Sequence, residues 1–272
     1  MKKFTWFNAT ALTFGFAFLY LPMVILVIYS FNASKLVTVW AGFSTKWYGR
    51  LLENEAFLDA AWVTLKVGFI SSTLATVLGT LAAYVLIRAG RFWGRTLFSG
   101  MIYAPLVMPE VITGLSLLLL FIGIGLDRGV FTIILAHTTF SMCYVSVVVS
   151  SRLVSFDRSV EEAALDLGAT PFEAFRLVTL PIIAPAVISG WLLALTLSLD
   201  DLVIASFVAG PSATTLPIKV FSSIRLGVSP EINALSTILI LIVTVGTVAA
   251  SLTTKRAVMR RQKAEQMADQ SS

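Results

Sequence analysis

The sequence predicts an all-α integral membrane protein with six transmembrane helices. Three observations carry that prediction. The 272 residues are 57% hydrophobic and only 13% charged, with mean hydropathy +0.88, against about 25% charged residues in a typical soluble domain. Six segments are long and apolar enough to cross a bilayer, which takes roughly 20 residues of helix. They run approximately 9–31, 62–87, 97–122, 130–151, 182–209 and 234–253. Finally, 13 of the 20 Lys and Arg residues fall on one side if both termini are cytoplasmic, the bias that sets topology.

The first apolar stretch follows Lys2 and Lys3 and runs well past the 7–15 residues of a signal-peptide core, so it reads as an uncleaved span. The chain then divides into a cytoplasmic N-terminus (1–8), a transmembrane domain (9–253) and a charged cytoplasmic tail (254–272) bearing Lys255, Arg256, Arg260, Arg261 and Lys263. Arg88, Arg91 and Arg95 fill the second connection, and Arg152, Arg158 and Arg176 the fourth. The opposite side receives Lys35, Lys46, Arg50, Arg128, Lys219 and Arg225. There the loop 32–61 carries Trp40, Trp47 and Tyr48, which reads as an interfacial or partner-facing surface. In the second span, Lys66 stands close enough to an end to snorkel outward.

The third span contains "APLVMPEV", with Pro105 and Pro109 four residues apart. Each proline removes a backbone donor, so the helix is expected to kink or unwind. Such a break is tolerated in a membrane where the backbone lines a cavity or is buried in protein. Glu110 lies beside it. It is placed either to meet a cationic cargo or to be satisfied by freed N–H groups. The fourth span holds the only Cys, Cys143, and the only His, His137. One cysteine excludes an internal disulfide, and the lone histidine reads as a packed or hydrogen-bonded group, since it cannot build a metal site by itself.

The connection 152–181, "RLVSFDRSVEEAALDLGATPFEAFRLVTLP", is the longest on the inner side. Ser159 and Glu162 have capping-box spacing before a short helix. Glu161, Glu162 and Asp166 crowd its first two turns, where the helix dipole favours acids. Gly168 can close that helix in the left-handed conformation. Thr170, Pro171 and Glu173 start another, which is expected to stop near Thr179, before Pro181. Two short helices meeting at a glycine turn make a rigid knob.

The fifth span contains "ALTLSLDDLVIASFV". Ionisable groups inside a span are costly and face a bundle interior or a wet path. On one continuous helix Thr196 and Asp200 share a face, and Ser198 and Asp201 share the next. One aspartate is expected in a lumen and the other held by hydrogen bonds. Trp191 and Phe207 could offer ring faces to an ammonium group. The outer connection 210–233, with Gly210, Pro211, Pro217, Gly227 and Pro230, reads as short helices, a re-entrant scoop or a plain loop.

"EEAALDLGATPFEAFRLVTLP" resembles the EAA signature of permease subunits in binding-protein-dependent ABC importers: Glu162, Ala163, Ala164, Gly168, Leu180 and Pro181 match its pattern. The segments 34–49, 104–121 and 189–237 are similar to the polyamine-type permeases, and residues 10–255 as a whole resemble the second permease subunit of bacterial putrescine importers. The resemblance implies a type I ABC importer architecture in the bacterial inner membrane. It implies a coupling helix in which Glu161, Glu162, Ala163, Ala164, Asp166, Gly168 and Ala169 meet an ATPase. It also implies a second permease, two ATPase subunits and a periplasmic polyamine-binding protein as partners. The cargo pathway would carry Asp200, Asp201, Glu110, Thr196, Ser198 and Trp191. ATP and Mg would sit on the partner ATPases, because this chain has no GxxxxGK[ST] loop; no cofactor is expected here. No nucleophile, base or metal constellation suggests an enzyme. A cation-coupled secondary transporter using the same acids is the alternative from another class, and the EAA loop argues against it.

Overall fold

A computed structural model describes residues 5–36, 39–226 and 229–245. Lys2, Lys3, Gly227, the end of the sixth expected span and the tail with Lys255, Arg256, Arg260, Arg261 and Lys263 lie outside the described residues. Every regular element among those described is helical, apart from one isolated antiparallel bridge between Asn32 and Phe43. The chain forms two units, one of residues 1–55 with 223–272, the other of residues 56–222.

The first unit holds α1 (Trp6–Ser30) and α2 (Lys46–Glu53), and the described part of the last apolar segment, Pro230–Val245. α1 is apolar on every face and buries only Ser30 of its side chains. A helix apolar all round belongs in lipid or deep in protein. The loop after it is built around Asn32. Its Nδ2 donates to the Val39 carbonyl (2.8 Å), and its Oδ1 accepts from the backbone N–H groups of Ser34 and Ala41. Trp47, expected on an interfacial surface, is instead buried and donates its indole N–H to the Asn32 carbonyl (2.7 Å). Tyr48 bonds Ser30, and of the three aromatics only Trp40 is exposed. Ring and hydrogen bond together made Trp47 a core anchor.

The second unit is a bundle of α3 (Glu55–Arg88), α4 (Arg95–Val107), α5 (Glu110–Gly123), α6 (Val130–Ser155), α7 (Ser159–Asp166), α8 (Pro171–Ala174), α9 (Leu180–Asp200), α10 (Val203–Val208) and α11 (Leu216–Leu226), the last running on into the other unit. Lipid gives helices little hydrophobic reason to associate, so close approach over small residues does the work. α3 buries Gly68, Ser71, Ser72, Ala75, Thr76, Gly79 and Ala83 along one face. A Cβ on Gly79 would stand 2.7 Å from the Met142 carbonyl oxygen, and one on Gly190 would stand 3.1 Å from Val145 Cγ1. Thus α3, α6 and α9 meet around Val145.

Among the described residues four helices are long and apolar enough to span, Trp6–Ser30, Glu55–Arg88, Val130–Ser155 and Pro171–Asp200; α4 and α5 pass the same test only when taken together, and they are bent by 119° at their junction. The expected third span is therefore two helices. Met108 is extended before Pro109 (ψ 135°), as the residue preceding a proline prefers, and Pro109 offers no N–H to continue α4. The fifth expected span, 182–209, is also two helices. Asp201 takes ψ 121° and ends α9, and α10 starts two residues later. By contrast, the helix expected to stop at Thr179 continues. Residues Phe175–Thr179 form a π-helical segment that leads without a break into α9, and Pro181, whose missing N–H interrupts the hydrogen-bond ladder, lies just after that widened turn.

Candidate functional site

The break between α9 and α10 gathers four polar side chains. Asp201 Oδ1 accepts from the Ile204 backbone N–H (3.2 Å) and Oδ2 from that of Ala205 (2.7 Å), so its carboxylate caps α10. His137 on α6 approaches the same Oδ2 with Nε2 at 3.0 Å and Ser198 Oγ with Nδ1 at 2.6 Å. Ser198 Oγ lies 3.1 Å from Ser71 Oγ on α3. With the ring hydrogen on Nε2, one order of donors satisfies the row: Ser71 to Ser198, Ser198 to His137, His137 to Asp201. The side chains of His137 and Asp201 are only 3% and 8% exposed. Burial of this kind requires paired polar groups, and this network supplies the pairing.

Asp200, the last residue of α9, is exposed and makes no hydrogen bond or ion pair with another described residue. The adjacent aspartates are thus unlike each other. One is spent on structure, the other is free. Thr196 is exposed one turn earlier and returns its hydroxyl to the Leu192 carbonyl. Ser198 is buried in the network. Trp191 faces α3, donating to Thr73 Oγ1 (3.1 Å) and meeting Phe69 edge-on at 5.8 Å. Phe207 packs against Gly114, where a Cβ would come within 2.7 Å of Cδ2, so its face is occupied by α5. Glu110 is exposed in the first turn of α5, behind Pro109, where the N-terminal dipole favours a carboxylate. Its electrostatic neighbour is Tyr144 on α6, two turns from His137. Among the described residues no three His, Cys, Asp or Glu side chains stand together as a metal set.

The connection between α6 and α9 makes a second polar centre. α7 and α8 are the two short helices that the sequence predicts, with Gly168 between them at φ +92°. Gly168 N–H donates to the Leu165 carbonyl and Ala169 N–H to that of Ala164, the paired bonds of a Schellman motif. The Ser159–Glu162 capping box is not formed. Asp157 takes its place, accepting the Ser159 backbone N–H at 3.0 Å. That bond, with the Ser159 hydroxyl, holds the Asp157 carboxyl below the usual carboxylate range. The Thr170–Glu173 box is formed.

Glu162, Ala163 and Asp166 are exposed, Gly168 forms the tip, and Ala164 and Ala169 are half-buried. Glu162 pairs with Arg158 at 3.0 Å across open surface, a contact worth about 0.3–0.5 kcal/mol. Glu161, expected on the docking face, points the other way. It is 7% exposed and is held between Arg88 and Thr179. Helical phase explains this, since residues one apart diverge by about 100°. Sequence reasoning missed Leu167 and Phe172, which flank the glycine turn and are 90% and 68% exposed. Two large apolar side chains displayed on a polar connection were the available signal.

Residues 75–261 match the family model of the binding-protein-dependent transport system inner membrane component. The chain is 63% identical over 235 residues to the putrescine transport system permease protein PotI of Escherichia coli K12, covering 84% of each chain. It is 44% identical over 237 residues to the spermidine/putrescine transport system permease protein PotC of the same strain, covering 87% of this chain and 89% of the relative. Among solved structures it is similar to a bacterial ABC transporter involved in import of the acidic polysaccharide alginate (TM-score 0.70, 18% identity, 91% and 94% coverage). It is also similar to the inward-facing MetNI methionine ABC transporter (TM-score 0.60, 20% identity, 74% and 95% coverage). At such identities these two likenesses speak to the fold.

Proposed function

The chain belongs to the binding-protein-dependent transport system inner membrane components, and from that premise we infer how it handles its cargo. It is a multi-pass permease subunit of an ATP-driven ABC importer, not an enzyme, and it works with ATPase and binding-protein partners. Its cargo is a polyamine, putrescine first and spermidine second. The importer pairs it with a second permease, two ATPase subunits that bind ATP and Mg, and a periplasmic polyamine-binding protein. Both of its termini are cytoplasmic.

The observation that carries this reading is the exposed, unpaired carboxylate of Asp200 at the end of an apolar helix. A putrescine has an ammonium group at each end and an alkyl middle. Asp200 replaces part of one ammonium's hydration shell, Glu110 marks the start of the other broken helix, and Thr196 and Trp191 extend the α9 face. Asp201 and Ser198 act behind them by fixing the bend. Such a path binds weakly enough to let go, leaving selection to the binding protein. Leu167 and Phe172, with Glu162, Ala163 and Asp166, form the face for the ATPase. Closure of the ATPases shifts α7 and α8 and alternates access to the path.

The test is uptake of labelled putrescine by the complete complex in proteoliposomes. Uptake should require hydrolysable ATP on the ATPase side and be inhibited by excess spermidine. Uptake that persists without ATP and collapses with a protonophore would overturn the reading in favour of a cation-coupled carrier.

A further inference from the structure

We propose that Glu161, Arg88 and Thr179 form a strut that carries motion from α7 into α3 and α9, so that Arg88 and Thr179 are positioning residues for the coupling of ATP hydrolysis to transport. This rests on the importer reading above. One carboxylate ties three elements together. Glu161, on α7, places Oε2 2.8 Å from Arg88 Nε at the end of α3. Its Oε1 accepts the Thr179 hydroxyl at 2.7 Å. Thr179 is fully buried and ends the π segment that becomes α9. The Arg88 guanidinium also lies 5.7 Å from the Phe156 ring, at the end of α6. One turn earlier on α3, Tyr84 packs edge-on against Phe175 of the π segment at 4.7 Å.

The arrangement answers a mechanical question. Flexible connections do not transmit displacement; packed side chains and ion pairs with discrete arrangements do. α7 is joined to α6 through residues 156–158 and to α8 through the Gly168 turn, and neither connection by itself reaches α3. The Glu161 carboxylate bypasses both. It sits on the side of α7 away from Leu167 and Glu162, so the outer face is free for a partner while the inner face grips the bundle. Its grip is on α9, which ends 21 residues later at Asp200. Arg88 Nη2 is buried and makes no hydrogen bond to a described residue. Buried polar groups left so call for an explanation, and a guanidinium that exchanges partners as α7 moves supplies one.

The experiment uses the complete importer in proteoliposomes and reads labelled putrescine taken up per ATP hydrolysed, at matched assembly. The variants are Thr179→Val, which removes one hydroxyl donor, Glu161→Gln, and the double Arg88→Met/Glu161→Met. The double variant replaces a buried pair by apolar side chains of similar size, a change that is often neutral for stability. The expected result is hydrolysis retained and uptake per ATP lowered about tenfold, inside the roughly 5- to 150-fold span of allosteric couplings. An unchanged ratio overturns the proposal. So does a loss of assembly in both Thr179→Val and the double variant, which would mark the residues as purely architectural. Failure of the importer reading would appear separately, as absence of ATP-driven uptake in the wild type.

Discussion

Exchanging the two neighbouring aspartates one at a time should separate transport from stability. In Asp201→Ala, His137 Nε2 and the N–H groups of Ile204 and Ala205 lose their acceptor together. An orphaned buried donor costs about 1–3 kcal/mol. The His137 bond crosses between helices, where membrane hydrogen bonds average nearer 0.6 kcal/mol, and the two N–H groups that Asp201 caps add about 1–2 kcal/mol each. The expected loss is thus about 2–5 kcal/mol, seen as a lower midpoint when the detergent-solubilised complex is heated and analysed by size exclusion. Asp200→Asn breaks none of these bonds, and its stability should move by less than about 0.5 kcal/mol. Its effect is on the cargo. A carboxylate 4 Å from an ammonium is worth about 1 kcal/mol in bulk water and about 4 kcal/mol at an effective dielectric of 20. Uptake efficiency should therefore fall at least about fivefold. The reasoning is refuted if Asp200→Asn transports normally, or if Asp201→Ala melts with the wild type.

Three further outcomes follow from the geometry. Gly168→Val forces a β-branched side chain to φ +92°; the strain, about 1–3 kcal/mol, should reshape the turn and lower ATP-driven uptake while the assembled spans still purify as one species. Leu167→Ser/Phe172→Ser should weaken recovery of the ATPase subunits with the permease, by about 1–2 kcal/mol per anchor, measured by co-purification at graded salt and detergent; full recovery would remove these residues from the docking face. Gly79→Leu drives a side chain into the Met142 carbonyl and Val145 and should abolish folded permease in the membrane fraction, whereas Gly123→Leu, with open space around its Cβ position, should accumulate normally.

Local codes made most of the helices legible. Apolar length marked the stretches that hold α1, α3, α6 and α9, Gly168 and the Thr170–Glu173 box gave the turn and α8, and Pro109 marked the first break. The second break has no proline or glycine at it. It depends on Asp201 trading helical geometry for a cap on α10, a trade made worthwhile by His137, 64 residues earlier. Nothing in "SLDDLV" announces that partner. The same is true of Glu161. Its neighbours in sequence face outward, and Arg88, 73 residues away, together with the Thr179 hydroxyl explains its burial. Trp47 read as a surface residue because Asn32, the loop organiser it bonds, looks like any polar loop residue. The residues misjudged were those whose role is set by one distant side chain.

The π segment at Phe175–Thr179 sets an angle as well as a connection. Five residues per hydrogen-bonded step place one more residue in that turn than an α-helix would hold, and each residue of an α-helix advances the azimuth by about 100°. Deleting a single residue there would leave α9 of the same length and composition, yet roll its whole circumference by about a quarter turn relative to α8. Asp200, about 30 Å up the helix at 1.5 Å per residue, would then look in another direction, and the Gly190 face would no longer meet Val145. The segment acts as a phase setting between the cytoplasmic machinery and the distant bend. Any chimera that exchanges the cytoplasmic connection with that of a related permease must carry the extra residue along with it, because the junction transmits orientation even where every contact is preserved.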